Sequence, residues 1–147
     1  IVGFAYAHPW KERAAYGWNA ELSVYLDAHA RGCGIGGAVY DELFALLRMQ
    51  NVQNVYGVVT MPNEASVALH ASRGFRKTGV QRQSGYKLGA WHDVLVLEKS
   101  LGEHGCPPPD FIPLRALDSA RVAETLRRMS DEANAHEPAL SSAEDDV

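Results

Sequence analysis

Cysteine is scarce in this sequence: two, Cys33 and Cys106, among 147 residues. That excludes a disulfide framework and makes a reducing, cytoplasmic setting the default expectation. Long apolar runs are missing too. The stretch Val94-Leu95-Val96-Leu97 is strand-sized, far short of the ~18 residues of a membrane span, so no membrane partner is expected. A basic surplus is also absent. Lys and Arg number 14 against 18 Asp and Glu, a formal charge of −4, and a nucleic-acid binder would instead show a basic stripe. The six histidines have no metal-ligand spacing and there is no C-x-x-C, so no metal is expected. Finally, the chain opens Ile1-Val2-Gly3-Phe4 with neither an initiator methionine nor a charged leader. This reads as a strand entered midway, and the N-terminus as a cut edge.

What is present is globular. Charged residues make up 22% and hydrophobic residues 46%, in a length close to the ~150 residues of one domain. Ile1 to His8 reads as a strand, ended by Pro9, and Lys11 to Asn19 as irregular. Ala20 to Asp27 alternates, with Leu22, Val24 and Leu26 on one face and Glu21, Ser23 and Tyr25 on the other. After a loop over 28–37, Val39, Leu43, Leu46 and Leu47 repeat with helical spacing. Gln53 to Met61 is a third strand. Asn63 is a good N-cap for a second helix, and Gly74 a good stop. Phe75 to Lys87 and Trp91 to Leu101 return to β, joined through Gly85 and Gly89. Beyond Pro107-Pro108-Pro109, Leu117 to Glu132 is an amphipathic helix presenting Val122, Leu126 and Met129. Ser141 to Val147 reads as a solvated tail. The order is β-β-α-β-α-β-β, a mixed α/β arrangement.

The loop Arg31-Gly32-Cys33-Gly34-Ile35-Gly36-Gly37 sits between a strand and a helix. Glycines let backbone N–H groups approach an anion, and the helix start adds unpaired N–H groups and a positive dipole end. A phosphate or pyrophosphate site is expected, ranked above a plain tight turn. A Walker loop is excluded, since Gly36-Gly37 runs into Ala38 rather than Lys. Gly32-x-Gly34-x-x-Gly37 matches the bare dinucleotide pattern, but the next strand ends at Met61-Pro62-Asn63 without the required acid. Cys33 reads as a small loop filler.

Arg31-x-x-Gly34-x-Gly36 after a strand resembles the acetyl-CoA signature of the GNAT superfamily of N-acetyltransferases, and Asn63-x-x-Ser66 with a helix ending Gly74-Phe75 continues that pattern. Three further blocks resemble the phosphinothricin acetyltransferases: Tyr6-Ala7-x-Pro9-Trp10-Lys11, Tyr16-x-Trp18-x-x-Glu21-x-x-Val24-Tyr25, and Gly85-Tyr86-Lys87-x-Gly89-x-Trp91-His92-Asp93-Val94. The resemblance runs from Ile1 to about Leu117. It implies the acyl-CoA N-acyltransferase fold, a mostly antiparallel sheet flanked by helices. Residues 1–114 would be the C-terminal portion of that domain, and residues 115–147 an extension of helix and acidic tail. Relatives begin with two helices and further strands, so the first strand is expected to carry an open edge. The isolated chain would then be unstable or pair with a second copy, and a homodimer is the expected assembly.

The implied reaction moves acetyl from acetyl-CoA to the amine of a small glutamate-like amino acid such as phosphinothricin, methionine sulfoximine or methionine sulfone. Acetyl transfer needs an unprotonated amine, a held thioester, a stabilised oxyanion and a proton for the leaving thiolate. The resemblance gives Glu21 the role of general base, and partial burial would raise its pKa. It gives His70 a part in proton transfer, since imidazole titrates near neutrality; whether as acid or base is open. The backbone of Val24, Tyr25 and Leu26 would bond the pantetheine arm. Arg31, Gly32, Cys33, Gly34, Ile35, Gly36 and Gly37 would hold the phosphates, with Asn63 and Ser66 bonding the cofactor or merely capping the helix. Lys11 and Arg13 are cations suited to an anionic substrate, and Tyr16 and Asn19 would line the same pocket. An acetyltransferase for protein N-termini or polyamines, and a non-catalytic CoA-binding module, are the alternatives.

Overall fold

The computed structural model describes residues 3–135. Its elements are β1 (Gly3–Pro9), β2 (Asn19–Leu26), α1 (Ile35–Met49), β3 (Asn54–Thr60), α2 (Glu64–Ser72), β4 (Arg76–Lys87), β5 (Ala90–Ser100) and α3 (Ser119–Ala135). The expected order therefore appears, with ends shifted by a residue or a few. Ile1 and Val2 of the expected first strand, and the tail Ser141 to Val147, lie outside the described residues.

The strands form one five-stranded sheet in the order β1-β2-β3-β5-β4. Every neighbouring pair is antiparallel except β2 and β3. A parallel pair needs a long crossover, and α1 supplies it. Tyr40, Phe44 and Leu47 of α1 pack on Leu22, Val55, Val59, Leu95 and Leu97 of the sheet. Burying a side chain of this kind is worth ~1.5–3 kcal/mol, so the core that fixes the site lies beneath α1.

One expectation is corrected here. The buried stripe of α1 is Gly36, Gly37, Tyr40, Phe44 and Leu47; Val39, Leu43 and Leu46 are only partly buried. Leu43 also packs against the core cluster, and α3 lies against α1. Spacing counted Leu and Val and passed over Tyr40 and the two glycines. On α3 itself, Val122, Leu126 and Met129 are all half-buried, as their spacing predicts.

Between β5 and α3 the chain is irregular, but it is tied down. Ile112 N–H donates to the Gln50 carbonyl at 3.0 Å, Gln50 Nε2 returns a bond to the Ile112 carbonyl at 3.1 Å, and Asn51 Nδ2 donates to the Asp110 carbonyl at 2.7 Å. These contacts deliver α3 onto α1.

Candidate functional site

The parallel pairing of β2 with β3 runs from Asn19 opposite Asn54 only as far as Leu22 opposite Gly57. Beyond that point β2 follows β1 and β3 follows β5, each pairing to its end, and the two strands part. The backbone of Val24 to Leu26 thus faces an opening rather than a neighbouring strand on its β3 side.

The glycine loop closes the far end of this opening. Gly32 and Gly34 have φ of +80 and +81, a region that favours glycine, and Gly34 forms the N-terminal boundary of α1. The N–H groups of Gly37 and Ala38 both turn back to the Gly34 carbonyl, at 3.0 and 3.1 Å. The N–H groups ahead of them have no intrahelical acceptor, and the helix dipole adds partial positive charge there. Gly36 lies so close to Leu26 and Leu69 that a Cβ would stand 3.0 and 3.2 Å from their methyl groups. The result is a cleft of about 540 Å³ lined by Val24, Tyr25, Leu26, Arg31, Gly32, Gly34, Gly36, Gly37, Asn63, Ala65, Ser66 and Leu69.

Ten of the residues expected at a cofactor site are therefore brought together. Cys33 and Ile35 belong to the same loop without lining the cleft; Cys33 is exposed, its Sγ 3.8 Å from the Arg31 carbonyl. Asn63 caps α2, its side chain accepting from Ser66 N–H at 3.1 Å, as the sequence predicts. Ala65 and Leu69 were not foreseen, since only the packing of α2 against the loop brings them to the cleft.

A second lobe of about 190 Å³ adjoins the first, sharing Val24, Tyr25, Asn63 and Ser66 and adding Leu22, Ser23, Tyr40, Val58, Val59, Thr60, His70 and Lys87. Leu22 and Val59 belong to the core beneath the helices, whereas Ser23 and Val58 alternate with them and point to the other face. The lobe passes through the sheet where β2 and β3 part.

His70 stands on the helix side of this lobe and is buried, 3% exposed. Its Nδ1 lies 2.7 Å from the Ser66 carbonyl. A carbonyl only accepts, so Nδ1 carries the proton. Nε2 then accepts from the Tyr40 hydroxyl at 2.9 Å. Burial pulls the imidazole below its ordinary 6.5, with the Ser66 carbonyl acting in the opposite direction, and burial pushes the Tyr40 phenol up. Both partners are uncharged at neutral pH. Gly57 makes room for the ring: a Cβ there would sit 2.3 Å from His70 Nε2. Tyr40 is the residue of this pair that sequence reasoning missed. Its signal, a large side chain with a polar tip on the buried stripe of α1, is interpretable only once α2 is placed.

Glu21 is on the opposite face of the sheet, between Leu22 and Ala20 of the core. It is half-buried, with its Oε2 3.8 Å from His8 Nε2, and is flanked in register by His8 and Tyr56. It does not line either lobe. Lys11, Arg13 and Tyr16 come together with Glu12 around a separate recess of about 380 Å³, where the Lys11 ammonium lies 4.8 Å from the Tyr16 ring centre. Asn19 is not in that recess; it accepts from Asn54 Nδ2 at 2.8 Å and joins the starts of β2 and β3. Among the described residues, no three His, Cys, Asp or Glu side chains gather as a metal site, and no helix is long and apolar enough to cross a membrane.

Comparison with known proteins gives a consistent picture. Residues 1–96 match the family described as the acetyltransferase (GNAT) domain. A phosphinothricin N-acetyltransferase of Streptomyces viridochromogenes is 40% identical over 114 residues, which are 78% of this chain and 62% of that protein. An L-methionine sulfoximine/L-methionine sulfone acetyltransferase of Salmonella typhimurium is 29% identical, over 73% of this chain and 63% of that one. Among solved structures, a GNAT superfamily phosphinothricin acetyltransferase from Sinorhizobium meliloti, in complex with AcCoA, superposes with a TM-score of 0.69 at 31% identity, covering 81% of this chain and 65% of the other. The chain spans about six tenths of the length of these curated relatives.

Proposed function

Since the chain belongs to the acetyltransferase (GNAT) domain family, we propose that it acetylates the amino group of a small glutamate-like amino acid, of the phosphinothricin, methionine sulfoximine or methionine sulfone kind, with acetyl-CoA as co-substrate. The observation that carries this reading is the opening between β2 and β3. It connects the glycine-rimmed cleft on the helix side with the face that bears Glu21.

The residues fit the co-substrate. The free N–H groups at the start of α1, with the Arg31 cation on the rim, suit a diphosphate. The backbone of Val24 to Leu26, without a strand partner toward β3, offers donors and acceptors to an amide-bearing arm, the Leu26 carbonyl already accepting from Arg31 Nη2 at 3.5 Å. At Ser66 the N–H is taken by Asn63 and the carbonyl by His70, and the hydroxyl, 3.5 Å from His70 Nδ1, faces the cleft that the co-substrate would fill. Acetyl-CoA, when bound, supplies the activated acetyl group.

Glu21 and His70 divide the proton work between the two faces. Glu21 takes a proton from the incoming amine, directly or through a water, on the face from which a substrate enters. His70 is held neutral with Nε2 accepting from the Tyr40 hydroxyl, so a proton reaches or leaves the imidazole at Nε2. Lys11 and Arg13, in their recess on the approach loop, suit a distal anionic group of the substrate.

Release of free thiol from acetyl-CoA is the test, read against methionine sulfoximine, methionine sulfone, phosphinothricin, a polyamine and an N-terminal peptide. The amino acids are expected to turn over fastest. Glu21→Gln is expected to lower kcat by ~10²–10⁴ and to leave acetyl-CoA affinity unchanged. Turnover of the polyamine or peptide alone would move the substrate class. Binding of acetyl-CoA with no turnover of any amine would leave a cofactor-binding module.

A further inference from the structure

The second lobe contains a cation that neither the cofactor nor the proton work uses. Lys87, the last residue of β4, lines it beside Ser23, Tyr25, Thr60 and His70. Register gives its face. Gly85 lies opposite His92 and Lys87 opposite Ala90. A Cβ on Gly85 would stand 3.3 Å from Val94 and 3.5 Å from Thr60 side-chain carbons, so Gly85 and, two residues on, Lys87 share the face of Thr60. Along β3 that face carries Val58 and Tyr56, and Tyr56 lies opposite Glu21. Lys87 and Glu21 thus flank the opening on one side of the sheet.

The end of the hairpin is fixed in place. The two ring nitrogens of His92 face the Met61 carbonyl at 2.9 Å and the Lys87 carbonyl at 3.3 Å, joining the β3–α2 turn to the backbone of Lys87 itself. Among the described residues the Lys87 ammonium has neither an ion-pair nor a hydrogen-bond partner.

We propose that Lys87 receives the α-carboxylate of the acceptor. This rests on the acetyl-transfer reading above and adds to it the residue that selects the carboxyl end of the amino acid. In an α-amino acid the carboxyl carbon and the amine share one carbon. An amine presented at the opening therefore carries its carboxylate into the same lobe, where an ammonium meets it. A polyamine brings a second cation to Lys87, and a peptide N-terminus brings a neutral amide; neither gains from the lysine. Lys11 and Arg13, in a separate recess, are left for the far end of the substrate.

The experiment compares methionine sulfone with its α-carboxamide, using the wild type, Lys87→Met and Lys87→Arg. For the acid, Lys87→Met is expected to raise KM roughly tenfold to a hundredfold, the usual worth of a hydrogen bond to a charged group, with kcat nearly unchanged. For the carboxamide it is expected to change little, and Lys87→Arg is expected to recover most of the loss. A parallel loss on acid and carboxamide, or no loss on either, overturns the assignment. Should the wild type acetylate neither, calorimetry of methionine sulfone with the protein–CoA complex decides. Binding that Lys87→Met weakens upholds the carboxylate site while the transfer reading falls, and no binding of the amino acid overturns both.

Discussion

Gly57 and His70 illustrate how much one residue's shape controls in this protein. The imidazole occupies the space a side chain on Gly57 would need, and its two nitrogens are satisfied by the Ser66 carbonyl and the Tyr40 hydroxyl. A histidine so placed links stability to pH. Burial lowers its folded-state pKa below 6.5, whereas the unfolded chain's histidine titrates near that ordinary value. Between the two the unfolded state binds more protons, so stability rises with pH through that interval and falls as acid is added. Thermal unfolding is expected to move to lower temperature as pH is brought down from 7 through 6.5 and below. His70→Gln is expected to flatten that dependence, and a slope unchanged by the substitution would assign it to another group. The Asn63 cap was legible from residue type alone, because capping is local chemistry. The Tyr40 bond was not, because it joins helices that are separated in sequence by all of β3.

At the scale of elements, the boundaries were largely readable and the faces less so. Pro9, Asn63, Gly74 and Gly89 punctuate the chain by backbone rules that hold in isolation. The buried stripe of α1 depends instead on what the helix packs against, and Val39, Leu43 and Leu46 are only partly buried although they share the helical spacing. The glycine loop combines both kinds of information. Gly34 has φ of +81, and a Cβ would meet nothing within 4 Å. Gly34→Ala is therefore expected to cost about 1 kcal/mol through backbone strain rather than collision. If the loop holds phosphate, the same substitution is expected to weaken acetyl-CoA binding in calorimetry by more than that strain accounts for. Equal binding by the variant would remove the loop from the phosphate site.

For the whole molecule, the arrangement of Glu21 and His70 could not be read in advance. Alternation along β2 separates Glu21 from Leu22, but which face receives α1, against which His70 of α2 then packs, is decided by the handedness of the β2-α1-β3 crossover. Ten of the residues that the sequence blocks grouped as a cofactor site line one cleft. They also grouped Asn19 with Lys11, Arg13 and Tyr16, from which the Asn54 bond holds it apart. Long-range pairing, rather than composition, determines such neighbourhoods.

The divergence of β2 from β3 also has a kinetic consequence. Amides on the outer flank of Val24 to Leu26 are not shielded by an adjoining strand, so in the free protein they are expected to take up deuterium quickly. A guest that zips along this flank stands in for the missing neighbour. Adding acetyl-CoA is expected to slow deuterium uptake across Val24 to Leu26 while the β4–β5 hairpin keeps its pace; uniform slowing throughout, or none, would show that the guest lies elsewhere.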